Sequence, residues 1–144
     1  MRKEINDMGL DNGFYVKSNK RKITRDILPD IITYPFEKDY DEDVEIVYFR
    51  KCWGIRNGVL DILSKRFSNT DECFFEIDEP EQVLNIIGLL SYFLDPNRWE
   101  DEGNSIWTFD EIRSQLIVSI INLAAIEVFM KENPDIYLEF YDSY

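Results

Sequence analysis

The stretch at positions 116–130 limits the architecture more than any other part of the chain, because it carries a single charge, Glu127. An amphipathic surface helix has a charged side, so this pattern predicts a helix that is buried on nearly every side. Thr108 and Glu111 match a capping box, which marks a helix start. We expect this helix to cover positions 109–132.

Hydrophobic periodicity predicts two more helices, at positions 44–67 and 80–94. Pro80 lies in the first turn of the second helix, where proline is favoured. Gly54 and Gly58 weaken the first helix. They therefore indicate that another element packs closely there, or that the helix bends.

Three segments rich in aromatic and β-branched residues predict strands, at positions 14–17, 73–77 and 136–141. Asn12-Gly13 is a strong turn signal just before the first strand, and a weaker strand is expected at 22–24. Together these elements predict an α+β fold in which three main helices pack on a small, mostly antiparallel β-sheet. The oligomeric state stays open: an uncovered edge strand at 136–141 can pair with its twin in a homodimer, whereas a covered one cannot.

The chain has 144 residues, 44% of them hydrophobic, which is enough for a single domain with a sizeable core. Positions 1–7 are polar and are expected to form a loose leader. The first 19 residues lack the apolar core of a signal peptide. The longest uncharged run, at 114–126, is shorter than the ~20 residues that a membrane helix needs. We predict a cytoplasmic protein.

The formal net charge is −13, from 29 acidic and 16 basic residues. This excess repels nucleic acids and anionic membranes, so we predict neither direct nucleic-acid binding nor membrane binding. A basic protein partner is favoured instead. The short basic patch at 17–25 is typical of a solvated hairpin or loop.

Two acidic segments are the candidate partner-binding surfaces. In the run at 37–45 the candidates are Asp39, Asp41, Glu42 and Asp43. A calcium loop is excluded because Val44 and Arg50 stand where it needs Gly and Glu. The structural alternative is that these acids precede a helix and complement its dipole.

The second acidic segment, at 97–105, reads as a polar surface loop. An exposed tryptophan there would act as a binding anchor, whereas the structural alternative is that it folds back onto its own domain. The candidates in this loop are Trp99, Glu100, Asp101 and Glu102.

An alternative binding site uses cationic side chains of the predicted first helix. Arg50, Lys51 and Arg56 are suited to hold a phosphate or carboxylate, while Trp53 stacks on a base or on an arginine. The structural alternative, which the sequence favours, is that these cations pair with the surrounding acids.

Catalytic signals are weak. The chain has no His, so triad hydrolases lose their base, and it has no glycine-rich phosphate loop. Cys52 and Cys73 lie in apolar segments without the paired spacing of a zinc site, and are predicted to be buried, reduced thiols. We predict a protein that is not an enzyme, with no metal site and no cofactor.

The segment at 48–57, Tyr-Phe-Arg-Lys-Cys-Trp-Gly-Ile-Arg-Asn, resembles the Tyr-Trp-Arg-Lys, three residues, Ile-His-Asn/Lys segment of a family of small bacteriophage-encoded proteins without an assigned activity. Segments 8–13 and 136–144 are also similar to theirs. Phe49 and Arg56 replace the Trp and the His, so no imidazole role carries over. The resemblance implies a phage or prophage origin, a host-cell cytoplasmic location and an α+β fold, and it supplies no catalytic residues.

These observations lead to three hypotheses for function. In the first, the chain is an acidic inhibitor that imitates nucleic-acid phosphate and occupies the basic groove of a host defence or nucleic-acid-handling protein. In the second, it binds or sequesters a small molecule such as a nucleotide. In the third, it is a toxin-immunity protein, which the sequence does not separate from the first.

Overall fold

The computed structural model describes residues 10–39, 43–66, 72–104 and 106–143. The expected leader at 1–7 lies outside them. The described residues form an α+β fold, as predicted, with four antiparallel strands in one sheet. The strands are β1 (Asp11–Ser18), β2 (Val44–Arg50), β3 (Phe74–Ile77) and β4 (Ile136–Ser143).

Within the described residues four helices accompany the sheet, one more than the three main helices predicted. They are α1 (Trp53–Ile62), α2 (Pro80–Phe93), the short α3 (Pro96–Trp99) and α4 (Phe109–Glu132). Two single turns of 3-10 helix lie at Arg25–Ile27 and Glu100–Glu102. The α4 capping box is confirmed: Thr108 Oγ1 accepts from the Glu111 N–H, and the Glu111 carboxylate accepts from the Thr108 N–H at 2.8 Å.

Alternation along the central strands separates two faces of the sheet. Phe14 and Val16 of β1 and Leu138 and Phe140 of β4 are fully buried on one face. There they form one core with residues from the helices, including Ile55, Ile86, Leu116 and Leu123. The residues between them in sequence point the other way and are only partly buried. The helices therefore cover one face of the sheet.

The predicted helix at 44–67 is wrong in its first half. Val44–Arg50 alternates between buried and half-exposed positions and pairs with β1, so it is a strand rich in β-branched and aromatic residues. Lys51, with φ 55°, turns the chain out of the strand before α1 begins at Trp53. A short apolar run such as 44–50 is compatible with a helix or a strand, so propensity alone does not decide between them. Pairing with β1 decides for the strand.

The two glycines of α1 confirm the predicted close contacts. A Cβ added at Gly54 would lie 2.7 Å from the Glu102 carbonyl oxygen, and one at Gly58 would lie 2.6 Å from a Leu89 methyl group. These contacts let α1 lie directly against the segment around Glu102 and against α2.

The other expected turn and strand at the N-terminal side are wrong. Asn12 and Gly13 lie inside β1, opposite Phe49 and Tyr48, and form no turn. Positions 22–24 are not in a strand; they belong to the loop that follows β1. The basic segment 17–25 is thus mostly a loop, as its charge pattern indicated.

The strand at 136–141 is not an edge strand, because the sheet order β2-β1-β4-β3 makes β4 central, and it therefore offers no free edge to a twin. Its two sides are paired with β1 and β3. The homodimer itself stays a prediction. Side chains of α4 and of the residues just before it cover the outer edge of β2. Their nitrogens donate hydrogen bonds to the backbone carbonyl oxygens of β2. The pairs are Ile46 with Asn122 (2.9 Å), Tyr48 with Gln115, and Arg50 with Trp107 (3.2 Å).

Helix α4 is less buried than its composition predicted. Its inner side is fully buried, but Ile121 is 40% exposed and Val128 is 51% exposed. Among the described residues it is the one helix long and apolar enough to cross a membrane by length and composition, a test that the core helix of a soluble protein also passes. A helix that is apolar all round therefore has one side in the core and one side uncovered.

Candidate functional site

The acidic run at 37–45 does not form one exposed patch in its described part. Asp39 accepts from Arg25 Nε at 2.9 Å, and Asp43 accepts from Lys17 Nζ at 2.7 Å. Asp41 and Glu42 lie outside the described residues. The alternative that these acids complement a helix dipole is also wrong, because the element that follows them is β2 and not a helix.

The second acidic segment is not a surface loop throughout. Trp99 ends α3 and is only 6% exposed; its ring packs edge-on against Phe93, and its Nε1 donates to the Trp107 carbonyl at 3.0 Å. It folds back onto its own domain, so it is not available as a binding anchor. Glu100 and Asp101 are exposed, whereas Glu102 is 2% exposed.

Glu102 caps helix α1 from a distant part of the chain. Its Oε2 accepts from the Ile55 N–H at 2.9 Å, while Cys52, at the N-cap position, makes no side-chain cap. Burial raises the pKa of Glu102 to about 7, although hydrogen bonds from backbone N–H groups oppose this shift. Glu102 is thus a structural residue and not part of a partner-binding surface.

Of the four residues proposed to hold an anion, Arg56 is committed to a structural ion pair. Arg56 donates to both carboxylate oxygens of Asp142, at 2.9 to 3.1 Å, and Asp142 is buried. The Arg56 guanidinium also lies 5.7 Å from the centre of the Trp53 ring. Lys51 has a positive φ at the turn into α1. The structural alternative for Arg56 is therefore confirmed.

Arg50 instead lines a cavity of about 420 Å³ between the edge of β2, the loop at 33–35 and α4. Its other lining residues are mainly apolar and aromatic, among them Ile46, Val118, Tyr34, Tyr48 and Trp107. This volume lies within the ~300–1,000 Å³ range of small-ligand sites.

The two cysteines differ from each other in burial. Cys52 is buried, as predicted; burial and the nearby Glu102 raise its thiol pKa. Cys73, predicted to be buried, is exposed just before β3. Both thiols are free.

The face of the sheet opposite the helices carries a row of aromatic side chains. The register places Tyr48 of β2, Gly13 of β1, Tyr141 of β4 and Phe74 of β3 side by side. We call these residues the aromatic row. The Tyr141 ring stacks on Tyr15 at 4.9 Å, next to the row.

Gly13 is required for this packing. A Cβ at this position would lie 2.4 Å from the Val47 carbonyl oxygen and 2.6 Å from a Tyr141 ring carbon. It would also lie within contact of the Glu45 carboxylate. The missing side chain lets the Tyr141 ring and Glu45 cover the middle of the sheet.

The next row across the same face is acidic. It runs from Glu45 of β2 through Tyr15 of β1 and Glu139 of β4 to Glu76 of β3. We call it the acidic row. Glu139 and Glu76 are direct cross-strand partners, an arrangement of like charges that destabilises a sheet. Lys17 lies 3.8 Å from Glu139 and partly offsets this repulsion.

Glu45 links the two rows. Its Oε2 accepts from the Tyr141 hydroxyl at 2.5 Å. Burial raises the pKa of Glu45 to about 7; the hydrogen bond from Tyr141 lowers it, and the nearby Asp11 raises it further. Near neutral pH Glu45 is therefore partly protonated and carries less than a full negative charge.

Sequence reasoning missed this face because its residues come from four separate segments. The one available signal was alternation: in β4 the residues Tyr137, Glu139 and Tyr141 alternate with apolar residues. Their neighbours on β1, β2 and β3 follow only from the register, which the sequence did not reveal.

Fold and site together define a two-layer α+β domain. The sheet face opposite the helices, which we call the open face, bears aromatic and acidic side chains; at its β2 end Phe36 packs against Tyr48, with 5.1 Å between the ring centres. No protein-family model matches the chain, and no match was found among curated proteins or solved structures. Within the described residues, no group of three or more His, Cys, Asp or Glu side chains is placed to hold a metal ion.

Proposed function

We propose that this chain is a non-catalytic interaction protein that binds a basic protein partner through its open sheet face. The observation that carries the proposal is the acidic row, in which Glu76 and Glu139 face each other directly. Like charges at paired positions cost stability, and a cationic partner lying across them would offset that cost.

The aromatic row supports the same proposal. Tyrosine and phenylalanine rings offer a large contact area with little side-chain entropy to lose, and their faces attract Arg and Lys. Carboxylates beside such rings bind a guanidinium through its planar fork. The open face thus combines the two kinds of group that recognise an arginine-rich surface.

A surface of this kind suits the inhibitor hypothesis, in which carboxylates take the place of nucleic-acid phosphates in the basic groove of a host defence or nucleic-acid-handling protein. The phage origin behind that hypothesis stays a prediction based on the resemblance at 48–57. A toxin-immunity protein would use the same face, so this hypothesis also stays open.

The test is binding of a fluorescent arginine-rich peptide, measured by anisotropy at low and high salt. We expect the double variant Glu76→Gln/Glu139→Gln to weaken binding by about tenfold at low salt and to reduce its salt dependence. The same variant should unfold at a higher temperature than the wild type, because it removes the facing charges. Weaker binding with higher stability excludes misfolding as the cause.

The matched control is Glu100→Gln/Asp101→Asn, which makes the same change in charge at two exposed residues outside the sheet. We expect it to change peptide affinity by less than about twofold. Equal losses in the two double variants would show that only net charge matters and would contradict the assignment to the sheet face. Salt-insensitive binding would contradict the electrostatic proposal itself.

The small-molecule alternative is favoured by one observation, the cavity of about 420 Å³ lined by Arg50 and aromatic rings. A planar anion such as a nucleotide fits this chemistry, with Arg50 as its cationic contact. Thermal unfolding with a nucleotide panel tests it: a stabilising ligand whose effect is lost in Arg50→Gln supports this alternative. If no nucleotide raises the unfolding temperature, the small-molecule alternative is excluded and the sheet-face proposal is unaffected.

A further inference from the structure

The outward side of α4 carries four aligned apolar residues. Ile121 and Val128 are large and exposed, Ala124 is also exposed, and Ile117 is half-buried. The positions 117, 121, 124 and 128 follow the four-three-four spacing of a coiled-coil contact stripe. We call these residues the α4 seam.

We propose that the α4 seam binds the α4 seam of a second copy of this chain, with the two helices antiparallel. A two-fold axis between positions 121 and 124 then places Ile121 of each copy opposite Ala124 of the other. It places Ile117 opposite Val128. A large residue faces a small one at the centre, which lets the two helices approach closely.

The charges at the ends of the seam are complementary in this arrangement. The same axis places Arg113 of one copy opposite Glu132 of the other, and both residues are exposed. In a parallel pair, by contrast, Arg113 would face Arg113. Opposite charges at the rim of an interface set its register and orientation.

The rest of the surface explains why a second copy would meet here. Two chains that each carry a net charge of −13 repel each other over most of their surfaces. The seam itself contains no charged residue. The one charge in the middle of α4, Glu127, is buried and forms an ion pair with Lys131 at 2.8 Å. No charge within the seam therefore opposes apolar contact along this stripe.

The dimer leaves the proposed partner-binding face free. Helix α4 lies on one side of the sheet, and the aromatic and acidic rows lie on the other. A dimer through α4 would carry two such faces, so a partner with two basic sites would be held more tightly than by one copy.

The test is sedimentation velocity of the full chain over about a hundredfold range of concentration, which covers the micromolar range of weak dimers. We expect a monomer–dimer equilibrium, with Ala124→Glu raising the dimer dissociation constant at least about 100-fold because it buries an unpaired charge in each copy. The control is Leu84→Glu, the same gain of charge at an exposed apolar residue of α2. It should leave the equilibrium within about twofold of that of the wild type.

A charge exchange tests the orientation without placing a charge in the seam. Arg113→Glu and Glu132→Arg should each weaken the dimer, and the double variant should restore it. A chain that stays monomeric at all concentrations, or a dimer that persists in Ala124→Glu, would overturn the proposal. Sedimentation of a monomeric chain with uncharged phosphatidylcholine vesicles would also overturn it, since the seam would then bind lipid.

Discussion

Gly13 and Gly88 show that the same residue type can have opposite structural roles. At Gly13 a Cβ would collide with the Val47 carbonyl and the Tyr141 ring. At Gly88, in the middle of α2, a Cβ would meet no atom within 4 Å. Close packing requires the first glycine, whereas no contact within the described fold requires the second.

We expect Gly13→Ala and Gly88→Ala to change stability in opposite directions. Gly13→Ala should lower the free energy of unfolding by about 2–4 kcal/mol, because the carbonyl of Val47 belongs to the sheet and cannot move away. Gly88→Ala should raise it by up to about 1 kcal/mol, since alanine favours the helix. Urea unfolding measures both. A neutral Gly13→Ala would contradict the close packing of the open face.

Glu102 makes stability depend on pH. Its pKa is about 7 in the folded chain and near the ordinary glutamate value of 4.5 in the unfolded chain. Between these values the folded state binds a proton that the unfolded state does not, so the free energy of unfolding falls as pH rises. Glu45 acts in the same direction, with a folded pKa of about 7.

We expect Glu102→Gln to flatten this dependence between pH 5 and pH 8. The wild type should lose roughly 2–3 kcal/mol over this range on account of Glu102 alone, and the variant should not. Urea unfolding at the two pH values measures the difference. If the variant loses as much stability as the wild type, Glu102 does not bear the raised pKa.

Helix α4 holds both the sheet edge and the loop that crosses it, through Asn122. Asn122 is buried; its Nδ2 donates to the carbonyls of Thr33 (2.7 Å) and Ile46 (2.9 Å), and its Oδ1 accepts from the Thr33 N–H at 3.0 Å. An asparagine in the middle of an apolar helix is thus explained by the backbone groups that it satisfies.

We expect Asn122→Leu to lower the free energy of unfolding by about 2–4 kcal/mol. Leucine has a similar volume, but it leaves two carbonyls and one N–H without these partners. The matched control is Asn85→Leu on α2, an exposed position where the change should stay within about 0.5 kcal/mol. Thermal or urea unfolding of both variants checks this. Equal effects would mean that the hydrogen bonds of Asn122 contribute little.

At the scale of the whole molecule, the charges separate into two groups. Several cations form ion pairs inside the fold: Lys17 with Asp43, Arg25 with Asp39, and Arg56 with Asp142. These pairs neutralise three of the 16 Lys and Arg residues of a chain whose net charge is −13. The remaining carboxylates repel each other across the surface.

We therefore expect salt to stabilise the chain. Raising NaCl from about 10 mM to about 200 mM shortens the Debye length from roughly 30 Å to below 10 Å and screens this repulsion. The unfolding temperature should rise by a few degrees. Differential scanning calorimetry measures it, with sucrose as a control for effects unrelated to charge. A fall in unfolding temperature would show that the internal ion pairs outweigh the surface repulsion.

Local rules in the sequence determined several elements of this protein. Thr108 with Glu111 sets the start of α4, and Pro80 sets the start of α2, since caps and proline act within one turn of chain. The strands at 73–77 and 136–141 followed from aromatic and β-branched content, and Gly54 and Gly58 correctly signalled close packing.

Only the tertiary structure decided the features that depend on distant neighbours. Residues 44–50 became a strand because β1 was available to pair with them, and β4 became central because β3 pairs on its other side. Trp99 and Glu102 left the surface for contacts with Phe93 and Ile55. The acidic row exists only through the register of four strands. Propensity, capping and charge act locally, whereas pairing and burial join residues far apart in the chain.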